Sequence, residues 1–130
     1  MEQNQTVRQK IAKIEKEIDD LYSELQRDRL KIDEERDRLM SKKRAFSEML
    51  QEEYSMALAI LQNNEQDINV ELQAVNRYLE HYDVIAEEAC KEELRRLDRK
   101  DEQVLENFSR KRRILETEME NNYCRLRETE

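Results

Sequence analysis

The sequence predicts an all-α protein built on a long coiled coil. Three observations lead to this fold class: the 130 residues include no Gly and no Pro, 43% of them are charged, and apolar residues recur at intervals of seven. A globular fold with many short elements needs turns, and turns depend on Gly, Pro and Asn. Disorder is not indicated either, because disordered chains are rich in Pro, Ser and Gly.

The clearest heptad repeat runs through the N-terminal half of the chain. One series, spaced by seven, is accompanied by a second series three or four positions away, which includes Ile14, Leu21 and Met49. This alternation places both series on one stripe of a helix and favours left-handed supercoiling with a partner helix. The companion series is interrupted in the middle by Asp28, Glu35 and Lys42, and such charges are costly in a seam unless they are paired.

The repeat changes phase twice further along the chain. Two steps of four follow Phe46, regular heptads then run to Ala89, and a shift of one residue precedes Leu94. The two successive steps of four form a stutter, which locally unwinds a supercoil. The predicted oligomer seam consists of Ile11, Ile14, Ile18, Leu21, Leu25, Ile32, Leu39, Phe46, Leu61, Ile68, Leu72, Val75, Leu79, Leu97, Val104, Phe108 and Leu115.

Charge and apolar content divide the predicted rod (residues 1–130) into an N-terminal arm (1–45), a centre (46–93) and a C-terminal arm (94–130). The centre has two basic and twelve acidic residues, whereas each arm has a net charge of +1. Its residues 56–61 are apolar all round the helix, which indicates burial from more than one direction. The candidate partner patch in this centre comprises Tyr54, Met56, Leu58, Ile60, Tyr78, Tyr82 and Ile85.

The charges favour antiparallel pairing of residue i with residue 130 − i. Basic blocks then face acidic blocks, and Glu35 and Lys42 acquire Arg95 and Glu88 as partners. Two architectures share this pairing. We prefer an antiparallel homodimer of unbroken helices about 195 Å long, with a variant thickened to four helices at the centre. The alternative is an antiparallel helical hairpin within one chain that turns at residues 63–67.

Residues that could support chemistry are few and scattered. His81 is the only histidine, and Cys90 and Cys124 are expected to be inert free thiols of a reducing compartment. Acidic pairs such as Glu34–Glu35 lack the shielded pocket that catalysis needs. The cluster Arg110–Arg113 is expected to form structural salt bridges with residues 17–20. We therefore predict no catalytic residue, no metal, no cofactor and no enzyme activity.

The sequence predicts a structural and interaction protein. The net charge of −8 argues against nucleic acid as a partner, and no apolar run approaches the ~20 residues of a membrane span. We expect a module that oligomerises a larger protein, of which this chain is a fragment, and serves as a spacer or scaffold in cytoskeletal or other multiprotein assemblies. The alternative is a helical hairpin subunit or adaptor that binds a regulatory helical protein through the central patch. A cytoplasmic location is expected, with the nucleus as alternative.

Overall fold

The computed structural model describes residues 2–63 and 68–129, and nearly all of them lie in two long helices. Helix α1 spans Glu2–Gln62 and helix α2 spans Asn69–Thr129, each with 61 residues. All peptide bonds in the described ranges are trans, and no residue there has a positive φ. The prediction of an all-α protein with long helices is confirmed.

Contacts between the helices group the chain into two compact units. The first unit joins Met1–Asp33 with Asp98–Glu130, and the second unit is Glu34–Leu97. In the first unit Tyr22 contacts Phe108 and Arg29 contacts Asp101, two pairs whose residue numbers add to 130. In the second unit Glu35 pairs with Arg96. The helices therefore run antiparallel within each unit. The first unit has the predicted register, and the pair in the second unit is one residue from it.

The preferred architecture, one unbroken helix per chain, is wrong for this chain. Helix α1 ends at Gln62, α2 begins at Asn69, and the two helices contact each other within one chain. The structure is therefore the alternative, a helical hairpin. The physical reason is that a short intrachain loop closes at a small entropic cost, while the same apolar stripes and charge blocks become paired. The structure does not test the predicted homodimer.

The predicted turn at residues 63–67 lies mostly outside the described residues. Asn63 is in a turn, and residues 64–67 belong to the undescribed stretch. At the start of α2, the backbone N–H of Leu72 donates a hydrogen bond of 2.8 Å to the carbonyl oxygen of Ile68. Ile68 thus occupies the N-cap position of α2, because its carbonyl accepts the first helical bond.

The core of the first unit follows the heptad rule. Along α1 the shielded side chains are spaced alternately by three and four residues, from Val7 to Ile32. Ile11 and Ile14 are buried, and only 1% of Ile32 is exposed. On α2, Asn122 is also buried; its Nδ2 donates to the carbonyl oxygen of Glu118, whereas its Oδ1 has no partner among the described residues. A polar seam residue of this kind favours one register at a cost in stability.

The second unit departs from the heptad. The shielded residues of α1 from Glu35 to Ala57 repeat every eleven residues, in steps of four, four and three. An eleven-residue repeat removes the left-handed supercoil, and it changes which side chains face inwards. Met49, predicted in the companion series, is therefore 45% exposed, and Cys90 is buried where Ala89 was expected.

The charged seam positions respond to the same change of spacing. Asp28 and Glu35 are half-buried, and the partner of Glu35 is Arg96, at 3.6 Å, one residue beyond the predicted Arg95. Lys42 is exposed, and the neighbouring Lys43 is half-buried instead. The long aliphatic stem of Lys43 can cover apolar surface while the ammonium group stays in water.

All seventeen residues of the predicted oligomer seam are buried or half-buried in the hairpin. In this structure they are shielded by the other helix of the same chain. Their assigned role as contacts between two chains stays a prediction.

We expect Ile32→Ala to lower the free energy of unfolding by about 2–5 kcal/mol, because truncating a buried aliphatic side chain removes its packing and leaves a cavity. Leu30→Ala is the matched control, since 58% of Leu30 is exposed; it should change stability by less than about 0.5 kcal/mol. Urea unfolding followed by helical circular dichroism measures both. Equal losses would contradict the described packing.

We also expect Arg29 and Asp101 to be energetically coupled. Arg29 Nε donates to Asp101 Oδ1 at 3.1 Å, and Nη2 donates to Oδ2 at 3.4 Å. Because half of the Arg29 side chain is exposed, a double-mutant cycle with alanine should give about 0.2–1 kcal/mol of coupling. A cycle of Arg29 with the adjacent exposed Glu102 is the control and should give about zero. Coupling of Arg29 to Glu102, with none to Asp101, would contradict the described register of the two helices.

Candidate functional site

The first feature of note in the second unit is an open groove between the two helices. It has a volume of about 550 Å³, and Leu50, Tyr54 and Leu79 supply its apolar lining. Glu80 and Asp83 on α2 add two carboxylates. The groove lies where the steps of four in α1 meet the heptad spacing of α2.

The second feature is a set of large apolar side chains in the second unit that contact water. We call six of them the apolar face: Met49, Met56 and Ile60 on α1, and Tyr78, Tyr82 and Ile85 on α2. Their exposed fractions range from 40% for Tyr82 to 64% for Ile60. Single exposed apolar residues are common on proteins, but a contiguous set marks an interaction surface.

The apolar face lies on the flank of the second unit opposite the groove. Two residues of separation correspond to about 200° around an α-helix. Five members of the face are two residues from a side chain that lines the groove; Met49, for example, precedes Gln51, and Tyr78 precedes Glu80. The sixth, Ile60, lies one helical turn beyond Met56. Since groove residues of both helices share one flank, the six apolar side chains share the other.

The structure divides the predicted partner patch between these two flanks. Tyr54 lines the groove, and Leu58 is half-buried on the same side of α1. The other five predicted residues belong to the apolar face. Met49 completes it, and sequence reasoning missed this residue because the heptad placed it in the inward-facing companion series. The steps of four after Phe46 were the signal that could have identified it.

Tyr78 and Tyr82 form an ordered aromatic pair on the apolar face. Their rings meet edge to face with centroids 4.8 Å apart, and the Tyr78 hydroxyl donates a hydrogen bond of 3.2 Å to the Tyr82 oxygen. This hydrogen bond raises the pKa of Tyr78 above its ordinary value of 10.0. The His81 ring lies 5.9 Å from that of Tyr82 and extends the aromatic cluster. The pair thus presents aromatic ring surface to solvent.

The histidine and the two cysteines are not brought together. Cys90 is buried, whereas Cys124 is exposed and its Sγ accepts a contact of 3.9 Å from Arg127. In residues 2–63 and 68–129, no three His, Cys, Asp or Glu side chains converge as ligands of a metal ion would.

The basic cluster at residues 110–113 makes contacts other than the predicted ones. Arg110 donates to Asn107 on its own helix, and Arg112 donates to Glu116 at 2.6 Å. The hydrogen bond to Glu116 raises the pKa of Arg112. The Arg112 guanidinium also lies 5.3 Å from the centre of the Tyr22 ring, a cation–π contact across the hairpin.

Comparison with known proteins identifies no relative. No protein-family model, no curated protein and no solved structure matches the chain significantly. Neither described helix contains a stretch long and apolar enough to cross a membrane.

We expect Tyr82→Phe to lower the pKa of Tyr78 towards 10.0, because the variant removes the hydroxyl that accepts the Tyr78 proton. The Tyr78 hydroxyl can donate this hydrogen bond only while it is neutral. Its contribution to folding stability is therefore present at neutral pH and is lost as the pH rises through the raised pKa of Tyr78. A nuclear magnetic resonance titration of carbon-labelled tyrosine rings measures the shift. Tyr123→Phe is the control, and an equal effect of both variants would exclude the pairing.

Proposed function

We propose that the chain is a helical hairpin that binds a partner helix through the apolar face of its second unit. The observation that carries this proposal is the position of Met49, Met56, Ile60, Tyr78, Tyr82 and Ile85 on one flank, each 40% or more exposed. Helices that dock on such surfaces insert apolar residues at spacings of three, four and seven. This is the adaptor role that the sequence offered as its second function.

The composition of the face also supports docking. Tyr is enriched among the residues that dominate interface energetics, and Met side chains adapt to different partner surfaces. The Tyr78 and Tyr82 rings already contact each other, which lowers the side-chain entropy that is lost when a partner covers them.

Self-association as a spacer or scaffold remains the second proposal. Its original support was a seam that needed another chain for burial. In the hairpin the seam is shielded by the chain's own helices, so burial of the seam no longer requires a second chain. Partner identity, cytoskeletal role, cytoplasmic location and the absence of enzyme activity stay predictions.

Photo-crosslinking in the cells that express the protein tests the docking proposal. A benzoylphenylalanine at position 56 or 78 should give crosslinked products, because both positions lie on the apolar face. The same residue at position 76, which lines the groove, or at position 114, an exposed apolar site of the first unit, should give few. Equal crosslinking from all four positions would contradict a defined docking face.

A double variant, Met56→Glu with Ile60→Glu, tests whether the apolar face is the surface that crosslinks. Both side chains are at least 60% exposed, so we expect folding stability to change by less than about 0.5 kcal/mol per site, while crosslinking from position 78 disappears. Ile114→Glu should leave crosslinking intact. If the double variant folds normally and still crosslinks, the apolar face is not the binding surface.

A further inference from the structure

The charge of the segment that carries the apolar face restricts what can cover it. Residues 46–90 include ten acidic residues and one basic residue, Arg77. Two carboxylates belong to the face itself, by helical spacing. Glu53 follows Met49 by four residues and precedes Ile60 by seven, and Glu71 precedes Tyr78 by seven; both glutamates are exposed.

A second copy of the chain is a poor occupant for this face. A two-fold contact brings the same surface against itself, so the acidic segment of one chain would lie against the acidic segment of the other. Like charges facing each other oppose such a contact. Nucleic acids and anionic membrane surfaces are also poor occupants of this face, because both carry negative charge.

The aromatic pair favours a cationic occupant. The ring faces of Tyr attract Arg and Lys side chains that lie within about 6 Å of the ring centre. The chain itself contains such a contact, because Arg112 lies 5.3 Å from the centre of the Tyr22 ring. Tyr78 is 62% exposed, which leaves its side chain open to the same kind of contact from a partner.

Because the proposed function places a partner helix on this face, the charges and rings define the partner's chemistry. We propose that the occupant is a basic amphipathic helix of another protein. Its apolar stripe covers Met49, Met56 and Ile60, and its Lys and Arg residues contact Glu53, Glu71 and the rings of Tyr78 and Tyr82.

Two designed helical peptides test this inference with the intact chain. Both have the same length, the same leucine stripe and one tryptophan; the residues beside the stripe are Lys and Arg in one peptide and Glu in the other. Because the chain has no Trp, the tryptophan emission reports the peptide alone. We expect the basic peptide to bind at least about tenfold more tightly than the acidic one, and to weaken as salt screens the charges.

A charge-reversed variant tests whether the preference for the basic peptide arises at the apolar face. Glu53→Lys with Glu71→Lys should abolish the preference for the basic peptide. The control, Glu15→Lys with Glu17→Lys, changes the net charge equally at exposed positions of the first unit and should keep the preference. Loss of the preference in both variants would show that the total charge, and not the face, selects the peptide, which overturns the inference.

The remaining outcomes separate the inference from the docking role. If the acidic peptide binds as tightly as the basic one, the face docks helices without selecting for charge, so this inference fails and the proposed function stands. If the chain forms a dimer that Met56→Glu dissociates, the occupant is a second copy and the inference is overturned. Failure of both peptides to bind also overturns it, and photo-crosslinking then decides the docking role independently.

Discussion

The structure depends on the mutual burial of two apolar stripes, because neither 61-residue helix can shield its own. Helices in proteins gain most of their stability from packing an amphipathic face. Here each face packs only on the other helix, so most seam residues are half-buried and few, such as Ile32 and Leu97, are nearly inaccessible. A two-helix hairpin therefore has a thin core and a large surface, and its solvent-facing sides remain available for other contacts.

The sequence was sufficient to predict the helices, their antiparallel direction and their register. The register was predictable because blocks of charge match around one centre, and Arg29–Asp101 and Tyr22–Phe108 both follow it. The choice between one chain and two was not predictable from these patterns. Both architectures pair the same residues, and they differ only in whether the chain reverses near residue 65, where no Gly or Pro signals a turn.

The candidate site was predicted in part. The heptad rule gave the correct inward residues in the first unit but misplaced Met49 and Cys90 in the second, because it assumed a spacing of seven where the helix uses eleven. Tyr54 and Leu58 were grouped with the apolar face because an apolar run does not indicate which side chains point to which flank. Tyr78 and Tyr82 were both predicted in the partner patch, but their hydroxyl–hydroxyl bond depends on rotamers that spacing does not specify.

The central claim is that the antiparallel pairing forms within one chain. Glu24 and Asn107 line the same small groove of the first unit, so spin labels at Glu24→Cys and Asn107→Cys, with Cys90→Ala and Cys124→Ser, should be separated by little more than two adjacent helices, about 8–10 Å between axes plus the label arms. Double electron–electron resonance is measured after labelled chains are refolded with an excess of unlabelled chains. An unchanged short distance at undiminished modulation depth is the predicted result. Loss of that distance on dilution would show that the pairing joins two chains and would contradict the hairpin.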